Sequence, residues 1–247
     1  METSHGHSHK MTVCLCEFIG TALFIFGIIE TNLPISIPIS LLASVVIWGG
    51  ITGGHFNPAV TIGVYTQLTG HYAKNFLFMI MIIISQILGG FFAMFLAYLG
   101  NFDKPESSVP ILAPKNPTYD PVSFDNDETN GGEFVMDLNV VINEIICTFI
   151  FVSVILMVKG EHTAGERTGI SAAICVVATL MCCISGTNML GACFNPAVGI
   201  ALTSNSIAVL GGAHYMRHYL YAYTLGPSLG GLIAGLFHIF HREHHKP

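Results

Sequence analysis

Asn57 and Asn195 are the residues whose type and spacing point most directly to chemistry. Each stands in the same pentapeptide, Phe56-Asn57-Pro58-Ala59-Val60 and Phe194-Asn195-Pro196-Ala197-Val198. An asparagine side-chain oxygen can accept an orphan backbone N–H at the start of a helix. Proline suits the first helical position, where no N–H is needed and φ is already set. Each copy therefore predicts a helix start carrying an asparagine and the positive end of the helix dipole. That chemistry is hydrogen bonding and electrostatics, not bond-making. Asn-Pro as a simple turn marker explains one copy but not a verbatim pair at matching places in two halves.

Glu17 and Glu144 are the acids placed inside long apolar runs. A charge at a bilayer centre costs at least about 2.5–3.5 kcal/mol, so each must face the protein interior and have partners. Their symmetric placement favours a structural role, accepting backbone N–H groups, over a proton or ion relay. The cysteines (14, 16, 147, 175, 182, 183 and 193) lie in or next to apolar segments without zinc-site spacing. They read as small buried thiols. His5, His7 and His9, and the histidines from His238 to His245, could bind Zn²⁺ or Cu²⁺. A metal transporter would need polar ligands inside the spans, and apart from the two glutamates there are almost none. No Ser/His/Asp or Cys/His arrangement and no phosphate loop stands out, so no enzyme is indicated. No cofactor or metal site is implied.

The elements that position these residues follow from composition. Of 247 residues, 52% are hydrophobic and 10% charged, against about 25% charged in soluble domains. The net charge of −6 is concentrated in one loop and suggests no nucleic-acid partner. A bilayer span needs about 20 mostly apolar residues. Six stretches qualify: roughly 12–31, 34–52, 77–99, 138–159, 169–187 and 218–240. The first has no clear small-residue cleavage site and reads as a retained span. Stretches 58–66 and 196–204 are apolar but reach only about 13 Å each, half the hydrocarbon thickness. Such half-spans must be buried in protein or line a watery cavity.

The halves match beyond the pentapeptide. Glu17-x-x-x-Thr21-x-x-Phe24 returns as Glu144-x-x-x-Thr148-x-x-Phe151. Gly53 and Gly191 precede the asparagines at equal distance, and Gln86-Ile-Leu-Gly89-Gly90 parallels Pro227-Ser-Leu-Gly230-Gly231. Three spans per half is an odd number, so the second copy is inverted, with a site expected at the midplane between the repeats. The predicted organisation is a His-rich tail (1–11), a first repeat (12–99), an acidic loop (100–137), a second repeat (138–240) and a His-rich tail (241–247). Lys10, Lys74, Lys159, Arg167, Arg242 and Lys246 fall on one side, and Lys104, Lys115 and Arg217 on the other. The positive-inside rule then puts both termini in the cytoplasm and the acidic loop outside. The fold expected is an all-α membrane protein, six transmembrane helices plus two half-spanning helices in an inverted repeat.

From about residue 12 to 240 the chain resembles the aquaporin (major intrinsic protein) family. The doubled Asn-Pro-Ala motifs (Asn57, Pro58, Ala59; Asn195, Pro196, Ala197) and the paired Glu-x-x-x-Thr-x-x-Phe motifs carry the likeness. The resemblance implies a homotetramer embedded among membrane lipids, each protomer with its own narrow pore for water or small neutral solutes. It implies that the asparagines meet at the pore centre, that Glu17 and Glu144 anchor the half-helix loops, and that His55 steadies the first. Counting from the asparagines, its outer selectivity filter falls on Ile37, Cys183, Ala192 and Val198. Most members have arginine where Val198 stands, and glycerol-selective members add an aspartate where Gly199 stands. The filter here is expected to be wide and apolar. The function expected is a passive channel for water or small uncharged solutes such as ammonia, hydrogen peroxide, urea or glycerol. A structural or adhesive subunit of the same fold is the alternative.

Overall fold

The computed structural model describes residues 4–31, 33–68, 72–102, 112, 131–159, 169–187, 191–210 and 219–244. Among the described residues eight helices follow in order: α1 (Ser4–Thr31), α2 (Ser36–Thr52), α3 (Pro58–Thr66), α4 (Tyr72–Gly100), α5 (Gly131–Lys159), α6 (Gly169–Gly186), α7 (Pro196–Leu210) and α8 (Ala222–His244). No strand occurs among the described residues. Most of the acidic stretch 103–130, together with Arg167, Arg217 and Lys246, lies outside them.

Five of the helices are long and apolar enough to cross a bilayer, whereas α2 is a shorter apolar helix of 17 residues. At 1.5 Å per residue α2 reaches roughly 26 Å. It ends at Gly53, whose φ of 85° closes the helix with a left-handed cap. The predicted half-helix 58–66 matches α3, while α7 runs to Leu210, beyond the predicted 204. The first span also begins earlier than predicted: α1 starts at Ser4, so part of the His-rich tail is helical.

Large apolar side chains such as Leu77, Leu88, Phe95, Ile146 and Leu236 are exposed, while Glu17, Glu144, Gln86, Thr21 and Thr148 are fully buried. This inside-out distribution fits a chain whose outer solvent is hydrocarbon. Without a hydrophobic drive between helices in lipid, association rests on close backbone approach at small residues. Both halves use it at equivalent places. Gly89 of α4 lies against the Phe18 carbonyl of α1, and Gly230 of α8 against the Ile145 carbonyl of α5. Gly231 abuts the Ala59 carbonyl of α3, and its counterpart Gly90 meets the Ala197 carbonyl of α7. The half-helices therefore cross over, each packing on a long helix of the other half.

A Cβ at Gly231 has no room against that carbonyl. Gly231→Val is expected to lower stability by about 1–3 kcal/mol, the usual cost of overpacking, read as a lower melting temperature in detergent. Gly186→Ala, with nothing within 4 Å of the added Cβ, is the control. Equal melting temperatures for the two would refute tight packing at the crossover.

Candidate functional site

The site begins with two bends of the backbone. Phe56 and Phe194 have φ of 47° and 52°, in the left-handed region that bulky residues avoid at a cost of about 1–3 kcal/mol each. The strain persists because both ends are held. Glu17 of α1 accepts the N–H groups of His55 (3.0 Å) and Phe56 (2.8 Å). Glu144 of α5 accepts those of Cys193 and Phe194, both at 2.8 Å. All four glutamate oxygens thus hold the loops that lead into the half-helices.

The first anchor carries more. Gln86 of α4 donates from Nε2 to Glu17 at 2.8 Å and to the Thr61 hydroxyl at 2.9 Å. That hydroxyl lies 3.2 Å from Nδ1 of His55. In the second half Pro227 occupies the position matching Gln86 and can offer no such donor. Gln86 and Thr61 were not among the sequence-predicted site residues. The one signal for them is that Gln86 is a lone amide in an otherwise apolar span.

Past the bends, each asparagine caps its helix. Asn57 Oδ1 accepts from Ala59 N at 2.8 Å, and Asn195 Oδ1 from Ala197 N at 2.9 Å. Each Nδ2 then reaches across: Asn57 donates to the Phe194 carbonyl at 2.8 Å, and Asn195 to the Phe56 carbonyl at 2.9 Å. An amide nitrogen has two hydrogens. One from each is spent on this reciprocal tie, leaving one per asparagine for another molecule. Pro58, Ala59, Pro196 and Ala197 are buried at the helix starts.

A cavity of about 650 Å³ runs between α1, α2, α5 and α6, with both asparagines in its wall. The motif phenylalanines Phe24 and Phe151, and Ile28 and Ile155 one turn on, line it as matched pairs. His55, Asn57 and Asn195 are its polar side chains, Cys193 adds a thiol, and no charged side chain lines it among the described residues. Of the four filter positions, Ile37, Ala192 and Val198 are in this wall. Cys183 is not: on α6 the lining stripe closes at Leu180, and Cys183, one turn later, is buried with its thiol toward the Cys147 carbonyl at 3.7 Å. Counting residues from Asn195 gave no information on this turn toward α5. No group of three or more His, Cys, Asp or Glu converges on a metal-sized space among the described residues.

The arrangement joins two helix N-termini, whose dipoles point positive ends at the asparagines, to a mostly apolar passage. Such a passage can admit water or small uncharged molecules.

Comparison with known proteins agrees with this geometry. The profile of the family described as Major intrinsic protein matches residues 4–238. Aquaporin-8 of Mus musculus is 30% identical over 241 residues, covering 90% of this chain and 79% of that protein. Aquaporin-1 of Rhizophagus irregularis is 27% identical over 244 residues, covering 90% and 75%. The solved aquaglyceroporin from Plasmodium falciparum superposes with a TM-score of 0.70 at 18% identity, over 93% of this chain and 96% of that one, a likeness of fold.

Proposed function

The chain belongs to the major intrinsic protein family, a multi-pass membrane channel passive toward water or small uncharged solutes, and from that premise we propose that its own pore is broadly selective. The observation that carries this reading is the wall of the cavity. Ile37, Ala192 and Val198 stand where the family's outer filter falls, and none offers a charge or a side-chain donor. Polar contact for a permeant is concentrated deeper, at the remaining N–H of Asn57 and Asn195 and at His55.

In this reading the outer mouth sorts by size and the centre by hydrogen bonding. A water molecule accepts from both asparagines at once. Its own hydrogens then point away from the centre on either side, and no unbroken proton wire crosses. The two helix ends disfavour cations at the same point. Glu17 and Glu144 hold the half-helices in place and take no part in conduction. His55 steadies the first loop through Thr61. We assign both termini to the cytoplasm by the positive-inside rule and the assembled form to a homotetramer in lipid, with one pore per protomer.

The test is a stopped-flow panel on one reconstituted sample, with water, glycerol, urea, ammonia and hydrogen peroxide each measured against protein-free vesicles. Increased permeability to water and to at least one larger neutral solute is expected. Gain for water alone would overturn broad selectivity. Gain for none would point to a subunit that uses the fold without conducting.

A further inference from the structure

Cys147 and Cys183 stand apart from the other thiols. They sit on different helices, α5 and α6, and meet. The Cys183 thiol lies 3.7 Å from the Cys147 carbonyl, which sets the Cys183 side chain against the Cys147 backbone. Both are reduced. Cys147 stands one turn before Phe151 on the α5 stripe that continues to Ile155 and Val158 in the cavity wall, and Cys183 one turn after Leu180 on the α6 stripe. The pair thus lies one turn past the lining stripes of α5 and α6, outside the wall itself. Disulfides need Cβ atoms about 3.5–4.5 Å apart, so closure takes an approach of α6 to α5 as well as rotation of the two thiols.

A third residue fits the same chemistry. Asn143, one turn before Cys147, places its Oδ1 3.7 Å from the Cys147 sulfur. Its Nδ2 is buried without a hydrogen-bond partner. Oxygen and nitrogen of an amide are interchangeable by a half-turn of the group. After that turn Nδ2–H donates to the sulfur, stabilising the thiolate that reacts with oxidants.

We propose that Cys147 and Cys183 are a peroxide-oxidised dithiol whose closure restricts permeation, an inference that rests on the channel reading for its effect on flux but not for the bond itself. The Cys147 thiolate attacks one oxygen of hydrogen peroxide, the O–O bond breaks, and the released hydroxide takes up the thiol proton as water, leaving a sulfenic acid. The Cys183 thiol displaces the sulfenic hydroxyl as a second water and forms the S–S bond. Peroxide is reduced and the two thiols are oxidised, with two electrons transferred. The covalent bond, about 2.05 Å long, draws the end of α6 toward α5 and narrows the passage between them. Cys193 does not compete, because its S–H is committed to the Asn195 carbonyl at 2.9 Å.

The experiment uses the full chain in proteoliposomes, treated with hydrogen peroxide, then with N-ethylmaleimide to cap remaining thiols. Digestion without reductant is expected to yield peptides joined through Cys147 and Cys183, lighter by two hydrogens and separated by dithiothreitol. Osmotic shrinkage is expected to slow after oxidation and to recover on reduction. Cys147→Ser should bring the ratio of oxidised to reduced permeability back to one, whereas Cys175→Ser should leave the response intact. Absence of the joined peptides from the wild type, or their formation without a change in shrinkage, overturns the proposal. Reduced vesicles no leakier than protein-free ones would instead refute the channel reading, while the peptide map would still decide the dithiol.

Discussion

Glu17→Gln is expected to destabilise the protein more than Glu144→Gln, and both are expected to lose most of their conduction. The isosteric amide keeps one acceptor oxygen and turns an NH₂ toward a backbone N–H that it cannot satisfy. A buried donor left alone costs about 1–3 kcal/mol. The same loops hold Phe56 and Phe194 at positive φ, a strain of about 1–3 kcal/mol each that survives only while the anchor is intact. Released, the loop relaxes and carries its asparagine off the axis. The two glutamates differ because Glu17 also accepts from Gln86, whereas nothing equivalent reaches Glu144 from Pro227. Glu17→Gln therefore breaks a network of three donors, and Glu144→Gln one of two. Melting temperatures in detergent report the stability, at about 2–4 °C per kcal/mol for a chain of this size. Vesicle shrinkage reports conduction. Wild-type values for both variants would refute the anchoring; equal losses would refute the role given to Gln86.

Val198→Arg carries the second large effect. Val198 sits in the first turn of α7, buried, with its side chain in the cavity wall. An arginine there enters a passage that no charged side chain lines among the described residues, and spans much of it. Larger permeants such as glycerol and urea must then squeeze past a fixed guanidinium. Their flux is expected to fall about tenfold, equivalent to about 1.4 kcal/mol of added barrier, while water falls less. The substitution places a cation near a helix N-terminus, which disfavours it by about 0.3–1 kcal/mol and should show as a small loss of stability. Unchanged ratios between solutes would mean that Val198 does not set the outer limit.

Much of this was legible because it rests on local rules. Asn followed by Pro announced both half-helix starts, and the cap bonds to Ala59 and Ala197 are those rules realised. The matched Glu-x-x-x-Thr-x-x-Phe motifs announced the anchors, and their phenylalanines turned out to line the cavity. What stayed hidden depends on tertiary direction. Phenylalanine carries no sequence signal for positive φ; only the bonds made by Glu17 and Glu144 explain it. The turn of Cys183 toward Cys147 depends on how α6 lies against α5. The reciprocal reach of Asn57 and Asn195 to the opposite phenylalanine carbonyls could be placed only once both loops stood face to face.

That reciprocity also constrains how the molecule is made. When the first half emerges from synthesis, Asn57 has no Phe194 carbonyl to bind, and Ala59 has no Gly231 to lie against. The half-helix α3 is left with a strained bend and an unmatched flank until α8, the last helix, is in the membrane. The first half alone does not supply these contacts, so α3 is expected to settle only once α7 and α8 have been made. A chain stopped in the central loop would be expected to insert its first helices yet leave residues 56–66 open to proteolysis, the tell-tale of a structure whose beginning is finished by its end.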